Sequence, residues 1–424
     1  MPGRIGSLRR GAPPSGVGRT GVGRMGVGRA GVGRTGVGRT GVVAALAAAL
    51  ALAGCGTATS GGQTAVTVVG RTLTVYLGQP AGGARSEPAQ DVLAAEQLAY
   101  RQSGGQAGAY TVRVRTLDGH ELSANARTAV ADKTAIAYLG ELVPGTSEVS
   151  VEIVNQQGLL EVSPLDTAAY LTQTVPGVSD SVDFFYPGHG TYKRTFARVV
   201  PTSAQEARAL VQEMQREHVT SLYVADDGQR YGATLSEEVR AAARTAGLPT
   251  TSGLASASGA FYGGNTASSA GRLAAAGFLN RAASANPGIH LFAPSGLYDS
   301  AFVPTLSTAA QSKLVVSSPG FTPASLPPVG AAFVSAFTAA YHHAPAPQAV
   351  FGYEAMKALM AVLASAGSNA ANRAVVAKDF RSLKRTGSAI GDYTISGGDP
   401  SLAPFVFARM KGTALTPFRF VSLG

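Results

Sequence analysis

Two hydrophobic rhythms take turns along most of this chain. Short runs rich in β-branched and aromatic residues, bounded by glycine and proline, predict strands. Longer stretches with apolar residues three and four apart predict amphipathic helices. The first run, LTVYL at 73–77, is followed by an alanine-rich helix over 88–102 that Gly104 and Gly105 close. YTVRVRTL at 110–117 alternates with arginines, as a strand near a sheet edge does, and a helix is predicted over 122–132. AIAYL at 135–139 is the next strand. Pro144 and Gly145 break it, and Thr146 or Ser147 can cap the helix that follows, with Glu148 in its first turn suiting the helix dipole. Val149, Val151, Ile153 and Val154 give that helix an apolar side, and Gly158 ends it. Leu159, Leu160 and Val162 form a strand that runs into Ser163-Pro164-Leu165-Asp166-Thr167.

The alternation resumes near 195. TFARVVP predicts a strand, 203–218 an amphipathic helix with Ala207, Leu210, Val211 and Met214 on one side, and SLYVA at 221–225 a strand. A turn at 226–232 leads into a helix over 233–246. FYGG at 261–264 ends a strand before a helix over 268–283. Further strands are predicted at 289–293 and 314–317, helices at 331–342, 349–366 and 372–385, and strands at 391–395, 405–410 and 418–421. The stripe Phe351, Tyr353, Met356, Leu359, Met360 and Leu363 is core. This order predicts an α/β fold of mostly parallel sheets flanked by helices. About 355 residues follow position 68, long for one core, so two lobes are expected. Ligands bind outside the carboxyl ends of strands in such sheets, so the adjacent loops 140–147 and 163–167 are the first candidate site.

The N-terminus follows neither rhythm. Five GVGR-plus-one pentads span 16–40, and an apolar run at 42–53, too short to cross a bilayer, has the length of a signal h-region. Leu52-Ala53-Gly54-Cys55 then resembles a bacterial lipobox, and Cys55 is the only cysteine, so no disulfide accounts for it. Residues 1–54 are expected to be a lipoprotein signal, with Met25 a second candidate start, and 55–67 a flexible tether. The signal holds eight arginines and no acid, so the formal charge of +10 falls to +2 without it. The basic excess therefore belongs to export, and a nucleic-acid partner is not expected. No P-loop, GxSxG elbow or HExxH is present, and the six histidines are scattered, so an enzyme is the remote reading. No cofactor or metal is expected.

Taken in order, LTVYLGQP, IAYLGE, GLLEVSPLDT, KRTFARVVP, VADDGQRYG, FYGG, LFAPSGL and FGYEAMKAL resemble the type 1 periplasmic binding proteins of ABC importers, the leucine/isoleucine/valine-binding group, over roughly 70–422. The resemblance implies two lobes joined by three crossings: lobe one at 68–197 plus 319–392, lobe two at 198–318 plus 393–424. It implies a small polar ligand, a branched-chain amino acid or related compound, closed between them. An ABC permease would be the membrane partner, and a lipid on Cys55 would hold the protein at the outer face of the cell membrane. On this pattern the Gly145, Thr146 and Ser147 amides face a ligand carboxylate, Asp166 and Thr167 form the second loop, and Tyr231 covers the ligand from lobe two. Asn265 and Ser295 are further contacts. Pro144 stands where the family has serine or threonine, Asp166 where it has a small residue, and Ser295 where amino-acid binders have an acid. A sensor on the same fold, uncoupled from transport, is the alternative.

Overall fold

The computed structural model describes residues 65–79, 87–117 and 121–423; the export segment, Cys55 and most of the expected tether lie outside them. Every strand predicted from an apolar run is present. β1 (Thr72–Leu77), β2 (Gln106–Ala107), β3 (Tyr110–Thr116), β4 (Ala135–Leu139), β5 (Leu160–Ser163) and β6 (Phe196–Arg198) form one sheet in the order β2-β3-β1-β4-β5-β6. Its neighbours pair in parallel except the short β2–β3 hairpin. β4 and β5 are buried at every position, as strands covered on both faces are, whereas the arginine-bearing side of β3 faces outward near the edge.

The second sheet takes β7 (Leu222–Asp226), β8 (Gly259–Gly263), β9 (His290–Ala293) and β10 (Leu314–Pro319) in parallel. After the small sheet of β11 (Lys384–Arg385), β12 (Tyr393–Ser396) and β13 (Asp399–Pro400), the hairpin β14 (Ala403–Lys411) and β15 (Ala414–Leu423) joins β10 antiparallel. The chain thus passes between the two large sheets three times, after β6, β10 and β13. This is a two-lobed α/β fold.

The helices are α1 (Glu87–Gln102), α2 (Leu122–Ala131), α3 (Ser147–Asn155), α4 (His189–Tyr192), α5 (Ser203–Arg216), α6 (Arg230–Thr245), α7 (Ser269–Ala285), α8 (Thr308–Gln311), α9 (Pro328–Tyr341), α10 (Ala349–Ala366) and α11 (Arg373–Arg381). α10 is long and apolar enough to cross a membrane, but its stripe of Phe351, Met356, Leu359 and Leu363 is wholly buried with Ala95 and Ala99 of α1 and Leu73 and Val75 of β1. Truncating one such side chain to alanine costs about 2–5 kcal/mol, which marks α10 as a core helix of the first lobe.

Two helices depart from the sequence expectation for side-chain or tertiary reasons, and one segment for which no element was predicted takes its own form. α6 starts at Arg230, three residues early, because Asp226 and Asp227 close the preceding turn themselves. Asp226 Oδ1 accepts from the Gly228 amide at 3.0 Å and Asp227 Oδ1 from the Gln229 amide at 2.9 Å. This places Tyr231 in the first helical turn. α11 stops at Arg381 because Lys384 and Arg385 pair with Thr394 and Tyr393, and Arg385 Nε bonds Glu354 Oε1 at 2.9 Å. The segment 169–192, without a helical pattern, folds into short turns whose Tyr170, Phe185 and Tyr186 are buried beside Leu210 and Leu235 of the second lobe.

Candidate functional site

The two lobe-one loops meet at a carboxylate. Asp166, fully buried, accepts at Oδ1 from the Gly145 amide at 2.8 Å and the Ala168 amide at 2.9 Å, and at Oδ2 from the Ser147 amide at 2.8 Å. The Ser147 amide opens α3, where unpaired N–H groups and the helix dipole favour negative charge. Asp166 therefore does the capping expected of Thr146 or Ser147. Thr146 occupies the N-cap position without a side-chain cap, its hydroxyl donating instead to the Val143 carbonyl at 2.6 Å. The Ser147 hydroxyl accepts from the Glu141 amide at 3.2 Å.

The second loop is held from below. Ser163 Oγ donates to the Glu141 carbonyl at 2.8 Å and accepts from the Asp166 amide at 2.8 Å. Arg198, at the end of β6, is wholly buried. It donates to the Asp166 carbonyl at 2.8 Å and the Ala168 carbonyl at 2.7 Å, and pairs with Asp399 at 3.0 Å. A buried guanidinium with three planar partners fixes the loop that a shorter cation could not span. Beneath α3, Tyr138 donates to Glu141 Oε1 at 2.5 Å and Ser150 to Glu161 Oε1 at 2.9 Å. Burial pushes the Glu141 carboxyl up to about 7; the Tyr138 and Ser150 hydrogen bonds lower it and the nearby Asp166 charge raises it.

Lobe two supplies the other wall. The Tyr231 ring lies between Gly145 and Gly296. A Cβ at Gly145 would stand 2.5 Å from Tyr231 Cβ, and one at Gly296 3.0 Å from Tyr231 Cε1. The Tyr231 hydroxyl is 3.3 Å from Thr167 Oγ1, and both residues are buried. Asn265 Nδ2 donates to the Pro144 carbonyl across the cleft at 2.8 Å. Ser295 donates from its amide and hydroxyl to Glu206 at 2.6 and 2.9 Å, and Ser317 donates to the same carboxylate at 2.6 Å. Burial raises the Glu206 carboxyl, and these donors offset part of the rise. Ser295 thus brings an acid behind it, though its own side chain is neutral.

All eight predicted contact residues lie along this seam: Gly145, Thr146, Ser147, Asp166 and Thr167 on one wall, Tyr231, Asn265 and Ser295 on the other. The sequence reading missed Arg198, Glu206 and Arg230. Arg230 bridges the lobes, 3.2 Å from Glu148 and 2.7 Å from Asp180, with its guanidinium over Phe185. Its only sequence signal was its place beside Tyr231 at the loop end. The lobes are shut. Between Leu142, Pro144, Leu165, Ser295, Tyr298 and Gln348 a cavity of about 30 Å³ remains, the space of a water, and beside it a second of about 140 Å³ lies between Gln79, Glu141, Leu142, Thr146 and Ala267. Among the described residues no group of three or more histidines, cysteines or acids could hold a metal.

No protein-family model matches the chain, and no curated protein matches it. Solved structures do. A leucine-binding protein of Thermotoga maritima superposes with a TM-score of 0.67 at 18% identity, over 82% of this chain and 98% of its own. A substrate-binding protein of an ABC transporter from Desulfitobacterium hafniense, in complex with leucine, gives 0.64 at 20% identity over 82% and 100%. A solute-binding protein of an ABC transporter from R. palustris, in complex with benzoate, gives 0.62 at 19% over 82% and 96%. The chain has the type 1 periplasmic binding protein fold, the architecture shared by these branched-chain amino acid and solute-binding proteins.

Proposed function

We propose that this chain is an extracytoplasmic solute-binding protein of an ABC importer. It would close two lobes, at 68–197 plus 319–392 and 198–318 plus 393–424, on a small polar ligand, a branched-chain amino acid or a related compound. The observation that carries the reading is the seam itself. The loop ends of two parallel sheets face each other, and Tyr231 of one lobe seats against Gly145 and Thr167 of the other. Contacts made only when the lobes meet allow a ligand to shift the population between open and closed forms by its differential affinity. The neighbours that bind leucine and benzoate share this architecture. No bond-making chemistry is needed for such a role. Gly145, Thr146, Ser147, Asp166, Thr167, Tyr231, Asn265 and Ser295 are the proposed ligand contacts. A lipid on Cys55 would keep the protein on the outer face of the cell membrane beside its permease.

Two measurements test this. A thermal-shift screen against amino acids, amides, polyols and purines is expected to find one stabilising class. Deleting the gene is then expected to abolish uptake of that solute. Unchanged uptake would refute transport and favour the sensor on the same fold. Metabolic labelling with a radiolabelled fatty acid, lost in Cys55→Ser, tests the anchor.

A further inference from the structure

The lobe-one anion pocket is complete and already occupied. Three backbone amides, from Gly145, Ser147 and Ala168, converge on Asp166 at 2.8–2.9 Å, in the geometry by which helix N-termini hold carboxylates. The occupant is part of the chain and wholly buried. Pro144 offers neither an N–H nor a hydroxyl in the same loop, and its carbonyl is taken by Asn265. No lysine, arginine or histidine lines either cavity along this loop. An independent observation points to what the cleft lacks. Gln348, 3% exposed, lines the cavity, and its Oε1 is buried with no hydrogen-bond partner. A buried amide oxygen without a donor favours a solute that brings an N–H or O–H.

We propose that Asp166 is a built-in occupant of the pocket that would otherwise take a solute's carboxylate, so that this protein selects neutral or cationic hydrogen-bond donors and rejects free carboxylic acids. The inference rests on the solute-binding reading and narrows its ligand to the compounds related to an amino acid rather than the amino acid itself. A second carboxylate at the lobe-one loop would find the Gly145, Ser147 and Ala168 amides already taken by Asp166, and no lysine, arginine or histidine lines the cavity to offset its charge. The desolvation of a carboxylate is offset only by donors, and here those donors are committed.

The test pairs each acid with its amide: leucine with leucinamide, benzoate with benzamide. Wild-type protein is expected to show no thermal shift with either acid. Asp166→Gly is expected to melt roughly 5 °C lower, since three buried amides lose their acceptor. Formate or acetate should restore most of that loss, while chloride at equal ionic strength should not. A purely structural loss of packing would not respond to small carboxylates. Asp166→Asn keeps the shape and one acceptor oxygen. It serves if the glycine variant does not fold, and is expected to melt between the two and to regain stability with neither anion. Stabilisation of the wild type by leucine or benzoate beyond their amides overturns the proposal and leaves solute binding intact. A folded Asp166→Gly protein indifferent to formate and acetate overturns it as well. If no solute of any class stabilises the wild type, the solute-binding reading fails, whereas rescue of Asp166→Gly by formate still identifies Asp166 as the occupant.

Discussion

Replacing Gly145 by alanine should open the protein. Gly145 has φ +86°, and an added Cβ would lie 2.5 Å from Tyr231 Cβ and 2.8 Å from Cγ. Carbon atoms pack at about 3.5–4.0 Å, so the wall must retreat by roughly an ångström. The left-handed backbone costs an alanine about 1 kcal/mol, and it does so whether the lobes are open or shut. The clash is different, because Tyr231 is on α6 of the other lobe: parting the lobes removes it. Overpacking of this kind costs about 1–3 kcal/mol when nothing gives. Charged to the closed form alone, that lowers its population relative to the open form roughly 5- to 150-fold. Small-angle scattering should show a larger radius of gyration for Gly145→Ala than for the wild type. The far-ultraviolet dichroism should not change, and melting should fall by only the backbone cost. Adding Tyr231→Ala removes the atoms that clash beyond Cβ, so the double variant should recover part of the closed form. A folded Gly145→Ala protein with wild-type scattering would refute the argument that this contact exists only on closure.

Arg230→Ala should also favour opening, more weakly. Its partners Glu148 and Asp180 are in the other lobe and all three are about a third exposed, so the effect is at most about 1 kcal/mol and should shrink with salt in the same scattering assay. Arg198→Met removes a wholly buried cation, leaving the Asp166 and Ala168 carbonyls without their donor and Asp399 without its counter-charge, though Thr172 and Gln173 still donate to it; urea denaturation should show a loss of about 3 kcal/mol. The Glu141 carboxyl is raised from 4.5 to about 7 by burial, so the folded protein holds a proton there that the unfolded chain releases. Its contribution is fully present below pH 4.5, is lost as pH rises toward 7, and is on the order of 3 kcal/mol across that window. Glu238, raised to about 8 by burial, acts in the same direction. Urea midpoints should fall between pH 5 and 8, and Glu141→Gln should flatten part of that slope; an unchanged slope would remove Glu141 as its source.

The amino-acid sequence determined the elements and their kind. Period-two and period-3.6 patterns are properties of a few consecutive residues, so LTVYL, AIAYL and the stripe of α10 declared themselves without their neighbours. The loops were found the same way, because Pro144-Gly145 and Ser163-Pro164 interrupt those patterns. Even the departure at α6 was local, since Asp226 and Asp227 needed only the amides two residues ahead. What those loops face, and with which partners, was decided only in three dimensions. Asp166 was visible as an acid in a loop; that it fills an amide pocket depends on Gly145 and Ser147, about twenty residues earlier, being brought beside it by β4 and β5. Arg198 and Glu206 carried no pattern at all, since a single buried charge has no periodicity and is tolerated only where distant groups complete its hydrogen bonds. Arg230 and Tyr231 became contacts across a cleft because the chain changes lobes between them and their partners. The seam that opened as two polar loops at a sheet edge is, in the folded protein, a closed one whose anion pocket the chain itself occupies.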